Sequence, residues 1–285
     1  MDLDARQEKA DLLAHDREII DEWFGLGSDV LAVPAGAVLG FFISGPIGGA
    51  VGTTVASVLA RGLRLTGIEV WERYMSRRER VRIARVVLMA ANEMQKRIAE
   101  GCTIREDDFF EPKPPYKSDL EEVVESLLLR VQREPEERKL PYLAKLLASI
   151  ALNADIDVGF AHQLLRFGND LSYRQYCILA LTARKSLFDL FEGPCEGLSF
   201  ELINSQLSFL SDCYELRELG LLRTGTAMDW SMYEVRPAAL ILEPLGFKIL
   251  ESMGLLSIPM EDVASAADLF VYGKGNIPPR SSTTH

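Results

Sequence analysis

"FFISGPIGGAVGTT" (residues 41–54) lies inside a run from Val30 to Ala60 that contains no charged residue. Such a stretch suits a nucleotide-binding turn, a membrane segment, or the buried centre of a helical domain. The choice among the three sets both the fold and the function, because the rest of the chain shows no catalytic constellation.

The dinucleotide reading takes residues 41–73 as strand, turn, helix and strand, with Glu69 or Glu72 near the place of a ribose-binding acid. The fingerprint G-x-G-x-x-G needs its first two glycines two residues apart. Here Gly45 is followed by Pro46, Ile47 and Gly48, so Ile47 occupies the place where pyrophosphate must approach the backbone. A phosphate loop also fails, since no lysine follows a glycine in the run. Residues 70–170 read as helix, without the alternating strands of such a fold.

The membrane reading fits the length. A helix of the run's 31 residues would extend about 46 Å, against a hydrocarbon core of roughly 30 Å. Broken at Gly45-Pro46 it gives two arms of about 22 Å, short for a spanning hairpin. Small residues recur every four positions at Gly36 and Gly40, and again at Gly48, Gly52, Ala56 and Ala60. A second row holds Gly45, Gly49, Thr53 and Ser57, and Phe41 and Phe42 supply bulk between the rows. Small-xxx-small rows let helix backbones approach closely in lipid.

The third reading is a glycine-rich apolar hairpin buried in its own helical domain. Eighteen of the 31 residues are Gly, Ala, Ser, Thr or Pro, which is weak apolarity for a permanent span. Glycine costs up to about 1 kcal/mol in an aqueous helix, so each one needs a packing reason. The last two readings are compatible: a weakly apolar segment can stay folded in water and insert when released.

Charge frames the run. Residues 1–29 carry nine acids against Arg6, Lys9 and Arg17, and fit an acidic amphipathic helix over 2–24. Residues 61–85 carry eight arginines against three glutamates. Arg73, Arg77, Arg78, Arg82 and Arg85 are candidates for contact with lipid headgroups or with acids of the same chain, Asp16, Glu18, Asp21 and Glu22 among them. The positive-inside tendency would hold this side in the cytoplasm. A net charge of −11 argues against nonspecific nucleic-acid binding.

Beyond the run, residues 61–105 read as a long basic helix stopped by Gly101, and 106–118, rich in Pro and charge, as a linker. Residues 119–170 supply two helices broken near Glu134-Pro135 and a third over "VGFAHQLLRFGND" (158–170). In 171–260, "LRELGLLRTG" followed by a hairpin and "LEPLGFKIL" is the layout of a winged helix–turn–helix, closed by a helix that Gly254 caps. Its recognition segment carries Asp212, Glu215 and Glu218 against Arg217 alone, so it reads as a protein-interaction or oligomerisation module without direct DNA binding. Residues 261–285 read as a flexible tail. The fold expected is mainly α.

The remaining candidates are bland. His15, His162 and His285 lack metal-ligand spacing. Cys102, Cys177, Cys195 and Cys213 form no C-x-x-C pair and suit a reducing compartment, the last three as small hydrophobes. The acids at 106–108, 121–122 and 136–137 suit solvated helix starts, with Glu121 and Glu122 at a positive helix end. No cofactor or metal is expected.

"EERKLPYLAKLLASIALNADIDVGFAHQLLRFGNDLSYRQYCILALTA" (136–183) resembles the helical core of the bacterial abortive-infection alpha family. The pattern rests on Leu143, Ala144, Leu146, Leu147, Ala148, Phe160, Leu164, Leu171 and Ser172, and the resemblance covers residues 119–190. It carries no catalytic residues. It implies a role in antiviral defence, in which infection triggers growth arrest or death. The leading expectation is therefore a nonenzymatic effector acting on the inner membrane through 30–60, cytoplasmic or bound to that membrane's cytoplasmic face, with a protein partner or self-association. A soluble scaffold that binds a partner through its winged helix is the alternative, and a Rossmann-type enzyme a third class.

Overall fold

The computed structural model describes residues 76–111, 113–195, 203–224, 232–274 and 277. The segments expected at 1–29 and 30–60 lie outside the described residues, as does Arg73. Among the described residues the fold is mainly helical, and no helix is long and apolar enough to cross a membrane. The chain divides into two compact units, 1–162 and 163–285.

The first unit holds α1 (Arg77–Ala99), α2 (Asp119–Arg133) and α3 (Leu140–Leu152). The helix α1 does not run back to residue 61. Ser76 is extended (φ −66°, ψ 160°) and its hydroxyl accepts from the Glu79 N–H, while the Glu79 carboxylate accepts from the Ser76 N–H. This reciprocal cap satisfies two backbone donors and starts the helix at Arg77. Ser118 and Glu121 start α2 in the same way. α1 stops where glycine permits it, Gly101 taking a φ of +100° that closes the last turn.

Apolar residues four apart, Val86, Ala90 and Met94, line one face of α1, which packs against α2 and α3. α3, "LPYLAKLLASIAL", is buried almost all round and forms the centre of the unit. Residues 106–118 are not a linker. Phe109 is buried within a 3-10 turn (Asp108–Phe110) that packs on α2, and Ser118 is buried as well. Proline and charge there report where helix is impossible; they do not report where the chain leaves the core.

The helix α4 (Val158–Asp170) contains the division between the units, and Asp157 caps it by accepting from the Phe160 N–H at 2.7 Å. The second unit then comprises α5 (Tyr173–Ala183), α6 (Asn204–Glu218), β1 (Leu222–Thr224), β2 (Leu240–Leu242), α7 (Pro244–Ser252) and α8 (Met260–Ala267). A third capping box, Ser172 with Gln175 in place of glutamate, starts α5. α5 is the central helix here and touches α6, β2, α7 and α8.

β1 and β2 pair antiparallel, with Leu222 opposite Leu242 and Arg223 opposite Ile241. After β2, the backbone of α7 comes so close to Leu221 that a Cβ on Gly246 would sit 1.9 Å from the Leu221 carbonyl oxygen. Only glycine fits there. Gly254 follows α7 in the left-handed region.

Residues beyond 260 are not a free tail as far as they are described. Val263, Ala267 and Phe270 recur at helical spacing and are buried, and the Phe270 ring lies 5.0 Å from Phe209. The Phe270 carbonyl accepts from the Phe191 N–H at 2.7 Å, and Ile277 is buried too.

Candidate functional site

The basic run is the one expected site that falls partly within the described residues. Arg78 is exposed, whereas Arg82 and Arg85 are half-buried. For Arg77 only the helical backbone is described. Arg82 reaches across to the end of α2: its Nη1 donates to the Gln132 carbonyl at 3.2 Å, and its Nε lies 3.9 Å from Glu137 Oε1. Gln132 Nε2 in turn donates to Glu79 at 3.1 Å. The Ser76 hydroxyl and N–H, and then Gln132, hold the Glu79 carboxyl below the usual carboxylate range. The acid that meets Arg82 therefore comes from the 3-10 turn Glu137–Lys139, remote in sequence. The Nε atoms of Arg82 and Arg85 are buried without a hydrogen-bond partner. The acids proposed from the amino-terminal segment, and Gly36, Gly40, Phe41, Phe42, Gly45, Gly48, Gly49, Gly52, Ala56 and Ala60, lie outside the described residues.

Two polar constellations escaped sequence reasoning. Arg105 is buried, and its Nε and Nη2 clasp the Asp107 carboxylate at 2.7 and 2.5 Å. Its Nη1 donates to the carbonyls of Ile150 and Ile156 at 3.0 and 2.9 Å, and the guanidinium stacks 3.8 Å from the Phe109 ring centroid. That geometry ties the 105–109 segment to the open carbonyls at the end of α3. The Arg105 hydrogen bonds lower the Asp107 pKa, against a smaller opposing effect of burial. The second constellation is an ion pair between Lys139 and Glu134 at 2.6 Å, each side chain only 3% exposed. The turn at Pro135 brings them together, and nothing in a local pattern of charges signals that both are inside.

In the second unit two of the acids of α6, Asp212 and Glu215, meet α5. Asp212 pairs with Arg174, and Gln175 donates to Glu215 at 2.9 Å. Tyr173 donates to Asp262 on α8 at 2.9 Å. These side chains hold helices together. Cys177, Cys195 and Cys213 are buried, and desolvation pushes the Cys195 thiol up to about 12 and the Cys213 thiol well above its ordinary value. Thiols so perturbed are poor nucleophiles at neutral pH. Cys102 is exposed. His162 sits 3.7 Å from Glu122 at the surface. Among the described residues no group of His, Cys, Asp and Glu is arranged to hold a metal ion.

What the second unit does offer is apolar surface. Leu187, Phe247, Leu256 and Met260 are each about half exposed or more. Arg184 donates to the carbonyls of Leu256 and Ile258, and Lys185 to that of Leu240 at 2.7 Å, so the turn carrying Leu187 lies against the segment that carries Leu256 and Met260. No protein-family model, curated protein or solved structure matches this chain.

Proposed function

We propose that this protein is a nonenzymatic effector of bacterial antiviral defence. It works in the cytoplasm or on the cytoplasmic face of the inner membrane, and residues 30–60 act on the bilayer. The observation that carries the reading is the 31-residue uncharged run set between an acidic segment and an arginine-rich one. Its rows of small residues suit helix association in lipid. The resemblance of 119–190 to the abortive-infection alpha family supplies the defence context, and the two helical units serve regulation or assembly.

Expression during infection with a membrane-potential dye tests this. Depolarisation and growth arrest are expected, and both should vanish in Gly48→Leu/Gly52→Leu with protein level retained. Unchanged potential with full viability in the wild type ends the proposal.

A second reading, a scaffold that binds a partner protein, draws on the second unit. The winged-helix reading draws support from the order α6, β1, β2, α7, and its use as a protein-binding module from Asp212 and Glu215 meeting α5 and from the exposed Phe247, Leu256 and Met260. Cell fractionation separates the readings. A chain found wholly in the soluble fraction before and after infection favours the scaffold.

A further inference from the structure

The arginine run of α1 does not stand alone. Arg82 bonds to the Gln132 carbonyl and approaches Glu137, so the first turns of α1 lie beside the last turn of α2 and the turn that follows it. That juxtaposition sets Arg130, Arg133 and Arg138 at the same end of the three-helix unit as Arg78, Arg82 and Arg85. Arg78, Arg133 and Arg138 are exposed there.

Residues 77–85 and 130–138 together hold eight arginines against four glutamates, in a chain whose net charge is −11. Two of the glutamates are engaged away from the arginines, Glu79 with Ser76 and Gln132 and Glu134 with the buried Lys139, while Glu137 offsets Arg82 and leaves the face with an excess of positive charge. A concentrated basic face on an acidic protein marks a surface for a polyanion. The uncharged run ends at Ala60, only 18 residues before Arg78.

The geometry points to a composite arginine face, built from the start of α1 and the α2–α3 turn, that binds the phosphate headgroups of anionic phospholipids. Arginine matches phosphate through paired N–H groups, and clustered cations beside a membrane segment gain from the negative surface potential of the leaflet. The inference rests on the membrane reading of 30–60 for the choice of lipid over other polyanions. The part it adds is the second arginine group, which no local stretch of sequence places beside the first.

Vesicle pelleting of the full chain tests it, with vesicles of phosphatidylcholine alone and of phosphatidylcholine mixed with phosphatidylglycerol. Pelleting is expected with the mixed vesicles, weakening as salt rises. Partition should fall about fivefold for each arginine removed, roughly a hundredfold in Arg130→Gln/Arg133→Gln/Arg138→Gln. The corresponding triple lysine variant should retain most binding, and circular dichroism of both variants should match the wild type.

Equal pelleting with both vesicle types that survives a salt wash, unchanged in the glutamine variant, overturns the arginine face while leaving insertion of 30–60 standing. Pelleting with the mixed vesicles that salt fully reverses supports the face and counts against insertion. No pelleting with either overturns both. Displacement from mixed vesicles by a duplex oligonucleotide at lower concentration than by free phosphatidylglycerol vesicles makes the surface one for nucleic acid and overturns the lipid assignment.

Discussion

The two helical units treat polarity in opposite ways. The first takes charge inside, burying Arg105, Glu121, Glu134 and Lys139, and among its described residues only Tyr116 and Leu129 are large exposed hydrophobics. Among its described residues the second buries a single charged side chain, Asp212, keeps each arginine and lysine at least partly exposed, and shows seven large hydrophobics at its surface. Both centre on a helix buried nearly all round, α3 in one and α5 in the other, so the core plan is shared. What differs is where the leftover interactions point. Among the described residues, the first unit turns several charges inward, and the second keeps large apolar side chains at its surface.

That contrast breaks most visibly at the thiols. Alkylation of the native protein at mildly alkaline pH should modify Cys102 in the first unit quickly. Cys195 should react slower by about three orders of magnitude, since a thiol pushed to about 12 is almost wholly protonated there. Peptide mapping after iodoacetamide treatment checks this, and comparable labelling of Cys195 and Cys102 would show that the second unit opens readily.

Next comes the buried ion pair. Lys139→Met strands the Glu134 carboxylate inside and should cost about 3–5 kcal/mol in urea unfolding. Lys139→Met/Glu134→Leu should recover most of that loss. A single variant within about 1 kcal/mol of wild type would mean that the charges of the first unit are not truly interior. In the second unit the corresponding weak point is steric. Gly246→Ala drives a methyl into the Leu221 carbonyl, for which we expect about 3 kcal/mol of destabilisation.

Smaller effects sharpen the picture. Ser118→Ala removes the cap of α2 and should cost about 1 kcal/mol. The Asp107 carboxyl is held below its ordinary range by Arg105, so it binds protons less readily folded than unfolded. Its stabilising contribution is present above the unfolded value of about 4 and is lost as pH falls through the lower folded value. The side chain is 36% exposed, so the change is modest, and Asp107→Asn should flatten that part of the acid-unfolding profile.

Much of the helical layout is legible in the chain. The break at Glu134-Pro135, the helix over 158–170, and the stops at Gly101 and Gly254 all follow from local chemistry: proline lacks a donor and glycine tolerates positive φ. The caps Ser76–Glu79, Ser118–Glu121 and Ser172–Gln175 share one spacing that is equally local, and the first of them moves the start of α1 to residue 77. Less legible were 106–118 and the residues after 260. Phe109 is an anchor inside a stretch rich in proline and charge, which does not alter a compositional reading, whereas Val263, Ala267 and Phe270 carry a helical spacing that the tail reading passed over.

Composition and spacing by themselves determined that the fold is mainly α, that a helix covers 158–170, that Gly101 and Gly254 end helices, and that one long stretch carries no charge. Only the tertiary structure decided that Arg105, Glu134 and Lys139 are interior, that Arg82 meets Glu137, and that Arg130, Arg133 and Arg138 join the arginines of α1. The reason is range. Caps and turns are settled by atoms a few residues apart, whereas Arg82 and Arg105 meet carbonyls that chain folding delivers from some fifty positions away.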